Sequence, residues 1–134
     1  MASLIHKELS DIILGAAFTV HNALGPGLLE SAYQGALCVE LQYQGLHVEQ
    51  EQVFPLEYRG QYVGAYIADI VVENTFILEL KAVRCLTELM AAQLISYLKL
   101  SGLPVGYLMN FNGLKVEWKR FVNAAGQRLL GVEQ

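Results

Sequence analysis

The chain is poor in charge. Only 16% of its 134 residues are Asp, Glu, Lys or Arg, against roughly 25% in an average domain. With an apolar fraction of 54% and a mean hydropathy of +0.35, this excludes intrinsic disorder and low-complexity tails. Cysteine is scarce too. Cys38 and Cys85 lack CxxC spacing, which excludes a cysteine-based zinc or dithiol site. Cys38 falls in a helical pattern and reads as a small core hydrophobe. His6, His21 and His47 are too scattered to form a ligand set. Long apolar runs are also missing. The longest, Ile12 to Val20, includes Gly15 and Thr19, whereas a spanning helix needs about 20 apolar residues. The opening residues, Met1 to Glu8, are amphipathic and do not resemble a signal segment. The expectation is one domain over residues 1–134, soluble, cytoplasmic and free of membrane. Roughly two-thirds of a chain this long is buried on folding, so neither disulfide nor structural metal is needed. So apolar a composition with so little charge also hints at a subunit interface, as in a homo-oligomer.

The charge that is present is unevenly spread. Residues 1–80 hold two basic residues, Lys7 and Arg59, and ten acidic ones. Residues 81–134 hold seven basic residues, Lys81, Arg84, Lys99, Lys115, Lys119, Arg120 and Arg128, and three acidic ones. Net charge is −4, unfavourable for non-specific phosphate binding, but a basic second half can bind a phosphate backbone through one face. The alternative is an uneven set of solvated charges.

Hydrophobic spacing predicts a helix over Leu4–Leu24, with Leu9, Ile12, Ile13, Ala16, Val20 and Leu24 on one side. Gly25-Pro26-Gly27 ends it. A second helix over Leu29–Tyr43 carries Ala32, Tyr33, Ala36, Leu37 and Leu41 on one side and ends at Gly45. Strands follow at Val48–Tyr58, Gln61–Val72 and Phe76–Val83. Thr87 is a candidate N-cap for a helix to about Leu100. Strands over Val105–Asn110 and Leu114–Arg120 flank Asn112-Gly113, a hairpin-type dipeptide. The segment after Asn123 reads as a short helix or coil. The order α-α-β-β-β-α-β-β implies an α/β fold, a mixed sheet with helices packed on it.

Charges inside apolar strands point to chemistry. Strict alternation puts Val63, Ala65, Ile67, Asp69 and Val71 on one face of the second strand, and Tyr66, Ala68, Ile70 and Val72 on the other. In the third strand Glu79 and Lys81 share a face. A three-residue loop at Glu73–Thr75 pairs Val72 with Phe76 and, continuing, sets Asp69 opposite Glu79, about 5 Å apart at Cβ. A two-residue loop would set Asp69 opposite Leu78 and break the cluster. Adjacent, partly buried carboxylates repel and are costly unless compensated. A divalent cation with oxygen ligands, Mg²⁺ or Mn²⁺, compensates them, and Lys81 beside it could orient a water or stabilise charge on a phosphate. The alternative is an Asp69–Lys81 or Glu79–Lys81 ion pair across the sheet.

Gly27-Leu-Leu-Glu30-Ser-Ala-Tyr33 resembles the signature of the GxxExxY family, which is assigned to the PD-(D/E)XK nuclease superfamily. Asp69 followed by Glu79-Leu80-Lys81 resembles its D…ExK core. Gln93 and Tyr97 look like the QxxxY element of the RecB-type branch, and Leu108–Phe111 and Lys119–Phe121 resemble the C-terminal strands. The match covers nearly the whole chain. It implies a restriction-endonuclease-like αβββαβ core, with a central mixed sheet flanked by helices. It further implies that Asp69, Glu79 and the Leu80 carbonyl bind Mg²⁺ or Mn²⁺, that Lys81 is the catalytic lysine, and that Glu30 is an additional acidic residue at the metal. Gln93 and Tyr97 would lie over the site and touch phosphate or the metal shell. The bland alternatives are a carboxylate favoured by a helix N-terminus for Glu30, and a core Tyr97 with Gln93 capping a strand. Family members often carry Arg at the place of Ile67 and His at the place of Met90. The implied function is a metal-dependent phosphodiester hydrolase, a nuclease acting on DNA, with specificity supplied by a homodimer or partner protein. The alternative is a catalytically weak or inactive nuclease-fold binding module.

Overall fold

The computed structural model describes residues 6–124 and 128–133. Two helices, α1 (Lys7–Leu24) and α2 (Glu30–Tyr43), precede three antiparallel strands, β1 (Val48–Tyr58), β2 (Gln61–Val72) and β3 (Phe76–Lys81). Helix α3 (Glu88–Ser101) then crosses to β4 (Val105–Asn110), followed by β5 (Glu117–Ala124) and β6 (Arg128–Glu133). The six strands form one sheet in sequence order. It is mixed because β3 and β4, joined through α3, run parallel while every other neighbouring pair is antiparallel. This is the α/β architecture the spacing predicts, with two corrections. The segment after Asn123 is not helix or coil: β5 runs to Ala124, and Arg128–Glu133 adds an edge strand. Asn112-Gly113 is not a two-residue turn either, because Asn110 pairs with Glu117 across a longer loop. That loop is tied down by His21, whose Nε2 lies 2.8 Å from the Gly113 carbonyl. The start of the expected first helix, Leu4 and Ile5, lies outside the described residues.

Each helix is placed by its apolar stripe and its ends. Ile13, Ala16, Ala17 and Val20 of α1 and Tyr33, Leu37, Cys38 and Leu41 of α2 pack with Ile70, Val72, Phe76, Leu78 and Leu80 on one face of the sheet. Ile12 and Leu24, expected inside, are about two-fifths exposed, because the buried stripe is centred on the small residues Ala16 and Ala17 instead. Between the helices, Gly27 takes φ +99°, a conformation that costs a side-chain-bearing residue dearly. Tyr33 locks the loop: its hydroxyl donates to the Gly25 carbonyl at 2.6 Å and accepts from the Leu28 N–H at 3.2 Å, while its ring stacks on Phe111. Two residues of the Gly27-x-x-Glu30-x-x-Tyr33 motif therefore set the start of α2, where Glu30 stands.

On the opposite face, α3 begins at Thr87, whose Oγ1 accepts from the Met90 N–H at 3.2 Å, as its N-cap role predicts. Leu94 and Leu98 then pack on Tyr66, Ala68, Val71, Ile77, Leu108 and Phe121. The approach is close because β4 offers Gly106 there. A Cβ at that position would sit 3.1 Å from Leu94 Cδ1 and 3.2 Å from Leu98 Cδ1.

β2 departs from strict alternation. Tyr66 and Ala68 pack on the α3 side, whereas Ile70 and Val72 pack on the α1/α2 side. In a regular strand Ala68 and Ile70 would share a face. The pleat therefore reverses at Asp69, and the expected common face for Tyr66, Ala68, Ile70 and Val72 is corrected. Across the ladder, Glu51 of β1 takes φ +53°, and neither Glu51 nor Asp69 is among the paired residues, although Gln50–Ile70 and Gln52–Ala68 are. Such irregularities re-aim side chains at the cost of local pairing.

Replacing Gly106 by Val should push α3 from the sheet and destabilise the protein by about 1–3 kcal/mol, the usual range for overpacking, as measured by denaturant unfolding. An unchanged midpoint would mean that α3 does not rest on that glycine.

Candidate active site

The β2–β3 loop, Glu73–Thr75, has the three-residue length that the register argument needs. Glu73 and Asn74 take φ +52° and +48°, and the Thr75 N–H closes on the Val72 carbonyl at 2.9 Å. Val72 pairs with Phe76, Val71 with Ile77 and Ile70 with Leu78. Asp69 and Glu79 are next in this register but beyond the last paired residues. There the two strands part, and side chains take over the hydrogen bonds that a ladder would supply. The Leu80 N–H donates to Asp69 Oδ2 at 2.9 Å. The Asp69 N–H donates to Glu79 Oε2 at 3.3 Å. The Tyr66 hydroxyl donates to the same Glu79 oxygen.

Both carboxylates are removed from water: Glu79 is 9% exposed and Asp69 is half-buried. Burial pushes the Glu79 carboxyl up to about 7, and the neighbouring Asp69 charge pushes in the same direction; the Tyr66 and Asp69 N–H hydrogen bonds and Lys81 oppose it. Asp69 is also raised, first by burial and then by the charges of Glu30 and Glu51, against the Leu80 N–H bond and Lys81. These directions follow from desolvation and like charge. The ion-pair alternative is not formed: Lys81 makes no salt bridge among the described residues. Lys81 is half-buried at the end of β3, and its carbonyl accepts from the Phe111 N–H at 2.9 Å. The next turn of chain is held by Asn110, whose Oδ1 accepts from the Val83 N–H at 3.0 Å and whose Nδ2 donates to the Val83 carbonyl at 2.9 Å.

Glu30 reaches this region from the first turn of α2. Its Oε2 accepts from the Ala82 N–H at 3.1 Å, one residue past Lys81. Gln34, one turn on, donates to the Asp69 carbonyl at 3.3 Å. Tyr97 arrives from α3 and stacks on Tyr66 with ring centroids 3.4 Å apart. Gln93 is exposed, one turn before Tyr97, and hydrogen-bonds to no described residue. It caps no strand. Ile67 is 54% exposed, and Met90 packs against the α3-side core; both side chains are apolar and offer no charge to the site. The structure thus gathers Asp69, Glu79, Leu80, Lys81, Glu30 and Tyr97 at one end of β3, and leaves Gln93 at the rim.

Three participants escaped sequence reasoning. Strict alternation turns Tyr66 away from Glu79, and only the reversal at Asp69 brings the two together. Glu51 and Gln34 sit in segments whose sequence carries no sign that they meet Asp69. Of the basic residues in the second half, Arg120 is 1% exposed, with its guanidinium carbon 5.9 Å from the centre of the Tyr107 ring, so it cannot contribute to a basic surface.

The donor chemistry fits a hard divalent cation. Each carboxylate keeps one oxygen, Asp69 Oδ1 and Glu79 Oε1, outside the hydrogen bonds made with described residues, and Mg²⁺ and Mn²⁺ prefer such oxygens. Among the described residues no three His, Cys, Asp or Glu side chains are gathered to hold an ion by themselves. The side-chain set shown is therefore two carboxylates, which an ion would complete with further oxygens such as water.

Residues 7–121 match the PD-(D/E)XK nuclease superfamily, and the chain belongs to it. No curated protein and no solved structure matches the chain. Membership of this superfamily suggests a metal-dependent nuclease with a nucleic acid as its substrate, and Mg²⁺ or Mn²⁺ is the general cofactor of such enzymes. No helix among the described residues is long and apolar enough to cross a membrane.

A carboxyl held at about 7 in the fold but near 4.3 when unfolded costs stability in one direction only. Below about pH 4 both states are protonated and nothing is lost. As pH rises towards 7 the unfolded chain ionises first, so stability falls; above 7 the loss is complete. In EDTA, Glu79→Gln should therefore be more stable than wild type at pH 8, by on the order of 3 kcal/mol, and nearly equal to it at pH 4.5. Thermal melts at the two pH values check this; a difference independent of pH would contradict the burial of an ionising Glu79.

Proposed function

We propose that this protein is a Mg²⁺- or Mn²⁺-dependent nuclease acting on DNA, of the GxxExxY kind with a RecB-type QxxxY helix. The observation that carries the reading is the desolvated Asp69–Glu79 pair at the parting of β2 and β3, without a salt-bridge partner among the described residues and two residues from Lys81. A stable fold has little reason to hold two like charges together out of water unless something positive joins them.

Asp69 and Glu79 would hold the metal through the oxygens outside their hydrogen bonds, with the Leu80 carbonyl as a third ligand and Glu30 nearby through the water shell. When bound, Mg²⁺ or Mn²⁺ would polarise the phosphoryl oxygens and lower the pKa of a coordinated water. Lys81, free of salt bridges among the described residues, would orient the attacking water and stabilise charge developing on the phosphate. Gln93, exposed and one turn from Tyr97, would contact a phosphate. The exposed apolar residues of the β1–β2 arm, Val53, Val63 and Ile67, suit a second copy or partner protein that would supply sequence specificity.

Purified protein should cut DNA in Mg²⁺ or Mn²⁺ and not in EDTA, and Lys81→Ala and Asp69→Ala should each lower the rate by at least about a hundredfold while melting cooperatively. Linear and circular DNA, single strands and RNA assayed side by side would set the substrate. Cleavage that survives either substitution overturns the assigned roles. A folded wild type that cuts none of these substrates favours the binding-module alternative.

A further inference from the structure

Glu79 is buried, and its carboxylate has a single side-chain partner among the described residues, the hydroxyl of Tyr66. The backbone N–H of Asp69, at 3.3 Å, is the longer and weaker contact. Tyr66 is 6% exposed and cannot turn away, because it lies in a stack of three rings. Phe54 of β1 flanks it at 6.0 Å between centroids and 15° between planes, and Tyr97 of α3 at 3.4 Å and 11°. The hydroxyl points at Glu79 only because the pleat of β2 reverses at Asp69. With regular alternation Tyr66 would share the face of Ile70 and Val72, against α1 and α2, and Glu79 would have no side-chain donor.

We infer that Tyr66 is a positioning residue of the site: its hydroxyl fixes Glu79 Oε2 so that Oε1 is presented to the metal, and Tyr97 acts through Tyr66 by holding its ring. The inference rests on the metal-site reading above and gives Tyr97 a role different from direct contact with phosphate or metal. A carboxylate oxygen accepts more than one bond, so the tyrosine does not compete with a ligand at the other oxygen. What it removes is the rotational freedom of a side chain that must meet an ion in one orientation. Partners that orient metal ligands in this way typically contribute 10- to 100-fold to metal affinity or activity.

Tyr66→Phe keeps the ring stack and deletes the hydroxyl. Tyr97→Phe keeps both the stack and the Tyr66 hydroxyl, and Tyr97→Ala removes the support. Titration of Mn²⁺ alone into each protein by calorimetry at pH 8.5, with thermal melts beside it, reads the effect without activity. Tyr66→Phe should bind Mn²⁺ about tenfold more weakly while still melting cooperatively, Tyr97→Phe should match wild type, and Tyr97→Ala should weaken binding in wild type but add nothing in the Tyr66→Phe background. Wild-type affinity in Tyr66→Phe, or weaker binding in Tyr97→Phe, overturns the inference and leaves the metal site standing. A wild type that binds no Mn²⁺ overturns the metal site and this inference with it.

Discussion

Two carboxylates that cannot both be comfortable organise one end of this molecule. Asp69 and Glu79 are brought together by a register that apolar packing enforces: shifting β3 by one residue would turn Phe76, Leu78 and Leu80 out of the α1/α2 core. The hydrophobic effect over that core far outweighs the repulsion between two charges. The surroundings answer the pair locally. β2 and β3 separate, the Leu80 N–H turns to Asp69 and Tyr66 turns to Glu79. None of these brings a full positive charge into contact. The compensation left open is the one a divalent ion supplies.

The rest of the fold can be read as support for that arrangement. The loop closed by Tyr33 sets the start of α2, so that Glu30 meets the chain just after Lys81. Asn110 clasps Val83 and holds the segment leaving β3. Gly106 lets α3 settle on the sheet, which brings Tyr97 onto Tyr66. The motif residues thus divide into those that gather at the carboxylate pair and those that keep the backbone in place for them.

Much of this was legible in the sequence, for physical reasons that differ by element. β1, β2 and β4 were readable to the residue because Gly and Asn near their ends mark turns, although only β2 and β4 have largely apolar interiors. Thr87 announced α3 because an N-cap has a local chemistry. The register of Asp69 and Glu79 followed from loop length alone. The reversal of the pleat at Asp69 did not: it accompanies a left-handed conformation of Glu51 across the sheet, and nothing in a period-two pattern encodes that. β6 was missed because its six residues, interrupted by Gly131, carry no clean two-residue alternation. Tyr66 was missed for the first of these reasons: its partner is set by the break in alternation, and its own sequence neighbourhood reads as core.

The most direct test of the account is calorimetric titration of Mn²⁺ into the wild-type protein and into Asp69→Asn, which keeps the size of the side chain and removes its charge. One binding site in wild type, lost or weakened at least tenfold in the variant, is the result predicted for a carboxylate pair joined by a cation. Equal binding by both proteins, or no binding by either, would contradict it.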